Sequence, residues 1–395
     1  MISFDEAVDL VRSVARPLGA EVVPISKAVG RVLATPVIAR IDSPRSDVSA
    51  MDGYAVRDED LARLPAILHE VGGSFAGSRW EGSVEPGTCV RIFTGAPVPR
   101  CADRVVIQEE VRLSGDRAIL DQHPGSIRYI RKRASDFAAG DVLLGAGRLV
   151  DPRAIVAAAA ADVAELEVHR RPLLTILSTG DELAEPGTAR EREDMIPESV
   201  SLGVCALASQ WGAKWAGRMR LGDDLSAMSE AANTAIEQSD LVVVTGGASV
   251  GEKDFAKAMF EPLGLELLFS KLAIRPGKPA WLGGARGRIV MGLPGNPTSA
   301  LVTARLLLAP LLAGMTGRPV ERALGWRTLP LAAPIEACDA RETFHRAQLV
   351  QGAARVLSFE DSSAQKVLAD ADLLVRQRAH APALATGEPV ETLDF

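Results

Sequence analysis

Cysteine is scarce in this chain of 395 residues: Cys89, Cys101, Cys205 and Cys338 are all it has, with no C-x-x-C pair among them. That spacing excludes a zinc ribbon and a disulfide framework and fits a reducing compartment, the cytoplasm. Five histidines, at 69, 123, 169, 345 and 380, make no metal-ligand spacing. No Ser/His/Asp or Cys/His arrangement is visible, so nucleophilic catalysis has no support. Aromatic residues are only 4% of the chain. A positive charge excess is missing too: the net charge is −7, which argues against a general nucleic-acid binder. The basic run RYIRKR at 128–133 reads as a solvated edge or a local anion contact. Long apolar runs are absent. The two longest, 154–168 and 301–315, carry Asp162, Glu165 and Arg305 and fall short of the roughly 20 residues of a membrane span. They read as buried helices. The opening MISFDEAVDL is acidic and amphipathic, with no signal-peptide pattern.

What is present is a soluble-protein composition, 47% apolar and 24% charged, long enough for two to four domains. Residues 3–16 predict an amphipathic helix with Ser3 and Glu6 as a capping box. From 37 to 134 short alternating strands are broken by Gly and Pro, the pattern of a small β-rich domain. Residues 135–170 return to a helix-rich style, with Asp151-Pro152 opening an alanine-rich helix. This predicts a discontinuous helix-rich domain (1–36 with 135–170) carrying 37–134 as an insertion. In 171–318 the apolar strands LLTIL, LVVV and RIVMGL alternate with helical segments, which predicts a doubly wound, mostly parallel sheet. Residues 319–395 predict a small C-terminal β domain. The fold class is multidomain α/β.

Three loops leave the carboxyl ends of those strands, where such sheets bind ligands. They are Ser178-Thr179-Gly180-Asp181-Glu182-Leu183, the run TGGASVGEKDF from Thr245 to Phe255, and Pro294-Gly295-Asn296-Pro297-Thr298-Ser299. Gly-rich turns and helix N-termini bind oxyanions through backbone N–H groups. The middle loop has neither the Lys-Ser/Thr ending of a Walker loop nor dinucleotide-fold spacing. It ends on Asp254; with Glu182 and Asp223 or Asp224, this puts carboxylates beside an anion cradle, as a bridging Mg²⁺ requires. Each acid taken singly also reads as a helix-capping residue, the better reading for Asp224. Lys271, Arg275 and Lys278 lie in KLAIRPGKP, where Pro276 and Pro279 exclude a helix and leave a stiff extended loop of cations. Standing alone, that segment reads as a surface turn with snorkelling side chains. Asp52 precedes Gly53 and alone reads as an Asp-Gly turn; Thr94 sits on a constrained turn that exposes its hydroxyl.

SAMDGYAV, RIFTGAPVP, ILSTGDEL, VTGGASVGEKDF, KLAIRPGKP and GLPGNPTSALV, in this order, resemble the MoeA family of molybdenum-cofactor biosynthesis, related to the E domain of gephyrin. The resemblance is strong from residue 1 to about 318 and weaker to 395. It implies a molybdopterin molybdenumtransferase: molybdate enters the dithiolene of adenylylated molybdopterin, AMP leaves, and Mg²⁺ assists. It implies four domains and a cytoplasmic homodimer, each site lying between the α/β and C-terminal domains of one subunit and the β-rich domain of the other. No membrane or nucleic-acid partner is implied; molybdopterin adenylyltransferase and molybdoenzyme maturation proteins are the partners to expect. By matching motif the catalytic acids are Asp52, Asp136, Glu182, Asp223 and Asp254, all but Asp136 also as metal ligands. Substrate contacts fall on Thr94, Thr179, Gly180, Thr245, Gly246, Gly247, Ser249, Lys271, Arg275, Lys278, Pro294, Asn296 and Ser299. Arg341, Ser362 and Ser363 add C-terminal contacts. The chain departs from the family pattern at Val48 (usually Asn), at Ala134-Ser135-Asp136 (usually Gly-Glu-Asp), at Glu198-Ser199-Val200 (a D-S-N-like run) and at Glu360-Asp361-Ser362-Ser363. The other readings of such a chain are a non-catalytic scaffold that keeps the pocket, and a molybdopterin adenylyltransferase.

Overall fold

The apolar strands of the α/β region assemble into one six-stranded sheet. The computed structural model describes residues 1–246, 255–358 and 361–395. Across this sheet the strands run Lys214–Leu221, Leu173–Thr179, Leu241–Thr245, Arg288–Leu293, Trp281–Ala285 and Glu266–Phe269. The first four are mutually parallel and the last two antiparallel to their neighbours. Leu241–Thr245 is buried at every position, which is why its sequence lacks a polar alternation. Helices Val200–Gln210 and Pro297–Met315 cover one face, and Leu225–Gln238 with Phe255–Ala258 covers the other. Pro297–Met315 is long and apolar enough to cross a membrane, but 94% of its apolar window is buried inside the protein: it is the core helix.

One buried acid ties the lower edge of this sheet together. Asp240, 6% exposed, accepts two hydrogen bonds from Arg170 (2.8 and 2.9 Å), one from the Leu173 N–H (2.9 Å) and one from Arg288 (3.3 Å). Burial alone raises its pKa; the Arg170 hydrogen bonds, the Leu173 N–H and the two guanidinium charges overcome that and hold it below the usual carboxylate value. A depressed carboxylate stabilises above its unfolded pKa and loses that contribution as pH falls through its folded value. Asp240→Asn therefore lowers stability by about 2 kcal/mol at neutral pH, discounted because the arginines are partly exposed. In urea unfolding, the gap to the parent protein closes below about pH 4.

The helix Phe4–Val14 forms as its sequence predicts. The Ser3 hydroxyl accepts the Glu6 N–H at 3.2 Å, and Glu6 accepts the Ser3 N–H at 2.7 Å. Its partner differs from the expected grouping of 1–36 with 135–170. Phe4, Ala7, Val8 and Val11 are buried with Leu307, Leu311 and Met315 of the core helix, in the core of the α/β unit. From residue 20 onward the chain does join the later segment, Ala20–Pro24 pairing with Glu165–His169. That segment is also less helical than expected. Pro152–Ala160 is its one helix among the described residues, and the chain leaves it through Asp162 in the left-handed region (φ 61°) to form a strand.

The inserted unit is a six-stranded sheet ordered Arg104–Ile107, Gly53–Val56, Thr88–Ile92, Ala66–Ser74, Arg117–Leu120 and Arg112–Ser114. Gly53 is required there, since a Cβ would stand 1.9 Å from the Val106 carbonyl oxygen. The C-terminal sheet contains Glu342–Val350, Leu373–Gln377, Pro389–Asp394 and Arg327–Pro330 and takes in a strand from outside its own segment. Ile274–Arg275 pairs parallel to Glu342–Val350, which seams the cation-bearing loop to the C-terminal unit.

Candidate functional site

At the carboxyl end of the parallel strands lies a cleft of about 600 Å³. Thr179, Glu182, Thr245, Gly246, Pro294 and Asn296 line it, with Glu198, Pro279 and, from the C-terminal unit, Ser363 and Gln365. The loops meet closely. Gly246 has φ +88°, and a Cβ on it would lie 2.5 Å from the Thr179 carbonyl oxygen; one on Gly295 would lie 3.2 Å from the Gly246 Cα. Only glycine allows three strand ends to converge this tightly. Thr179 Oγ1 donates to the Thr245 carbonyl at 3.3 Å, and Thr245 Oγ1 donates to Ser178 Oγ at 3.2 Å.

The acids of the rim sit on two loops stapled to each other. The Gly180 N–H donates to the Leu221 carbonyl at 3.0 Å, and the Asp223 N–H donates to Asp181 Oδ1 at 3.1 Å. Glu182 and Asp223 are both exposed. Asp181 is thus the residue that sequence reasoning missed in its own motif: its carboxylate fixes the loop that carries Asp223. Asp224 caps the helix Leu225–Gln238 through the Ser226 N–H at 2.9 Å, the structural role preferred for it. Among the described residues no three His, Cys, Asp or Glu side chains are placed to share a metal ion. Gly247, Ser249 and Asp254 lie outside the described residues.

Beside the cleft lie cationic and hydroxylic segments; Pro279 and Ser363 line it, whereas Lys271, Arg275, Lys278, Arg341 and Ser362 do not. Lys271 and Lys278 are exposed, and their segment is held by the N-terminal residues: the Ile2 N–H donates to the Lys271 carbonyl (3.1 Å) and the Ala273 N–H to the Ile2 carbonyl (2.7 Å). Arg275 donates to Asp339 at 3.0 Å, and Asp339 also accepts the Arg341 N–H at 2.9 Å. The Arg341 N–H, with the Arg275 and Arg341 charges, keeps Asp339 below the usual carboxylate range against its slight desolvation. Asn296 donates to Ser362 Oγ at 2.9 Å, and the Thr298 N–H to the Ser362 carbonyl at 3.2 Å, so the C-terminal unit closes over the start of the core helix. The Ser363 hydroxyl and N–H both donate to Asp361, which they hold ionised. Ser299 is buried on the first turn of the core helix.

Glu198 is a second omission from the sequence reading. It is 2% exposed, lines the cleft, accepts the Ser201 N–H at 2.9 Å and the Ser201 hydroxyl, and lies 3.5 Å from Arg218. An acid three residues before a serine at the start of an apolar helix was the available signal. Val200, where the family pattern has a polar residue, is buried in the core on one side and lines the cleft on the other.

Asp52, Thr94 and Asp136 do not line this cleft. Asp52 Oδ1 accepts the Thr94 N–H at 2.7 Å and the Thr94 hydroxyl at 2.8 Å, which hold its carboxyl below the usual range. Asp136 is exposed near the junction with the inserted unit, its N–H donating to the Ser43 carbonyl at 3.0 Å.

The α/β unit, residues 175–314, matches the model described as a probable molybdopterin binding domain, and residues 2–161 match the MoeA N-terminal region, domains I and II. These define a class, molybdopterin-handling proteins with an inserted β unit. The chain is 34% identical to a molybdopterin molybdenumtransferase of Haemophilus influenzae over 354 residues, 89% of this chain and 86% of that one. It is 33% identical to molybdopterin molybdenumtransferase 2 of Mycobacterium tuberculosis over 91% of this chain and 90% of that one. A MoeA crystal structure from Pyrococcus horikosii superposes with a TM-score of 0.86 at 29% identity, covering 100% of this chain and 99% of its own. The chain belongs to the MoeA family of molybdopterin molybdenumtransferases.

Proposed function

We propose that the rim cleft binds adenylylated molybdopterin and molybdate, and that the chain inserts molybdate into the dithiolene with release of AMP. The observation that carries this reading is the convergence of three strand ends, at Thr179, Thr245 and Pro294, on one cleft beside the stapled Glu182 and Asp223 loops. The turn Pro294–Asn296 and the core-helix N-terminus that follows it suit the pterin phosphate. Lys271, Arg275 and Lys278 suit molybdate, a dianion; holding it beside the dithiolene is a proximity role.

Mg²⁺ binds through one or two carboxylates plus substrate phosphates, unlike ions that need a full protein cage. A rim with Glu182 and Asp223 on adjoining loops has the donor set for such a shared ion. Bound there it would neutralise charge on the pyrophosphate. These residues, the substrate contacts named above and the ion are all part of the proposal.

The Asp52–Thr94 pair belongs to the cleft of a second subunit in this reading. The discontinuous unit supports a homodimer by its exposed apolar residues: Val22, Val29, Ile38, Val142 and Val156 are 62, 54, 51, 62 and 70% exposed. The setting is the cytoplasm, where a molybdopterin adenylyltransferase supplies the substrate and molybdoenzyme maturation proteins take the product.

The test gives purified protein adenylylated molybdopterin, molybdate and Mg²⁺ and follows AMP and active cofactor. Stoichiometric release of both is expected. Bound substrate without AMP release overturns the reading in favour of a scaffold; consumption of ATP with free molybdopterin overturns it in favour of adenylylation.

A further inference from the structure

On the opposite side of the α/β unit from the rim, where the core helix ends, two arginines share one indole. The guanidinium of Arg305 stands 5.6 Å from the centroid of the Trp211 ring and that of Arg318 stands 5.8 Å from it. Arg305 is 7% exposed; it donates to the Asp394 carbonyl (2.7 Å) and the Ala323 carbonyl (2.7 Å), both neutral acceptors. Arg318 has less. Its Nε is buried without a hydrogen-bond partner, and no carboxylate lies within ion-pair distance of it among the described residues. Asp394, which borders the same space, has its carboxylate on Arg327 at 2.5 Å. On its other side Arg318 lines a narrow gap with Arg31, Arg171 and His169, where a second guanidinium nitrogen, Arg171 Nε, is also buried and unpartnered. Arg31 there is engaged by Glu21 and the His169 carbonyl.

Arginine keeps its proton in proteins, so burial without a counter-charge is an uncompensated cost. Burial does push the Arg318 guanidinium down from its ordinary pKa, with no acid opposing the shift, and Arg305 down to about 10 against the pull of Asp394. A cleft of about 260 Å³ opens onto both arginines, lined also by Leu207, Gln210, Trp211, Asp394 and Phe395. We propose that this Trp211–Arg305–Arg318 cleft is a second oxyanion site, distinct from the rim, that takes a small tetrahedral dianion of the phosphate or sulfate type. The anion completes the hydrogen bonds of Arg318 and offsets both charges. Because Arg318 also faces Arg31 and Arg171, occupancy ties the discontinuous unit to the base of the sheet.

The test titrates sulfate, and separately inorganic phosphate, against chloride at fixed ionic strength, reading Tm and tryptophan fluorescence. The parent protein is expected to show a saturable rise in Tm and a saturable fluorescence change, and Arg318→Met to lose about tenfold or more in sulfate affinity. In chloride alone, Arg318→Met is expected to hold or gain stability, since it removes a half-buried charge whose Nε has no partner. Arg318→Gln, which keeps a polar end, must show the same loss of affinity should the Met variant fail to fold. Lys278→Ala, on the rim, must leave the saturable response intact. Equal responses in the parent and both Arg318 variants, or a response abolished by Lys278→Ala instead, overturn the proposal.

Discussion

Glu182→Gln and Asp223→Asn each lower AMP release by about 10²–10³-fold while the protein stays folded, the scale on which removing one preorganised charge or donor acts in a transition state. The size follows from position. Both side chains are exposed, Glu182 lining the cleft and Asp223 on the adjoining loop, and the loops are fixed from below by the Gly180 and Asp223 N–H bonds. Glu182→Gln keeps side-chain volume and leaves those backbone bonds in place, so its stability shifts by no more than about 0.5 kcal/mol. The carboxylate charge that would hold a phosphate-bridging cation is lost, and raising Mg²⁺ should recover part of the rate. Asp181→Asn makes the contrast. It weakens the staple and not the charge set, so its effect should fall more on KM than on kcat. Single-turnover AMP release at several Mg²⁺ concentrations measures all three. Unchanged turnover in Glu182→Gln removes that residue from the site.

The parts of the site that were legible in the sequence are those built from contiguous residues. A buried strand reads as an apolar run, and the Gly-rich turn after it reads as an oxyanion loop; parallel connectivity then puts Thr179, Thr245 and Pro294 on one rim. What was not legible depends on which surfaces meet. The amphipathic pattern of Phe4–Val14 marks a buried face without saying what buries it, and the answer is the core helix of the α/β unit. Ile274–Arg275 reads as loop because two prolines follow it, yet it is a strand, made so by the edge of Glu342–Val350. Asp181 and Glu198 act through hydrogen bonds to backbone and side chains that only the folded loops bring near. Asp52 has its hydrogen bonds within its own unit, and one chain alone does not bring it to the cleft.

Phe4→Ala is the substitution expected to cost the most stability, about 3–5 kcal/mol, the range for truncating a buried aromatic ring. Phe4 is 1% exposed and sits where three parts of the chain meet. Its ring packs edge-on against Phe344 at 5.0 Å and Trp326 at 6.3 Å, both from the C-terminal segment, while its helix lies on the core helix. The Arg376 guanidinium stands over Phe4 at 5.0 Å and over Trp326 at 5.3 Å, and is itself bound by Glu342 and by Asp5 at 2.7 Å. Removing the ring leaves a cavity lined by two aromatics and takes the cation–π partner from a buried charge. The chain has several units, so the measurement is the midpoint of the first unfolding transition in urea, not a single two-state free energy. A functional consequence separates this from ordinary core damage. Ile2, two residues before Phe4, holds Lys271 and Ala273 through backbone hydrogen bonds, and the next residues pair with the C-terminal sheet. Loosening the helix start therefore loosens the segment that carries Arg275 and Lys278. At temperatures where Phe4→Ala remains folded, KM for molybdate should rise by more than kcat falls; a midpoint shift with unchanged KM would show that the cationic loop is positioned without help from the N-terminal helix.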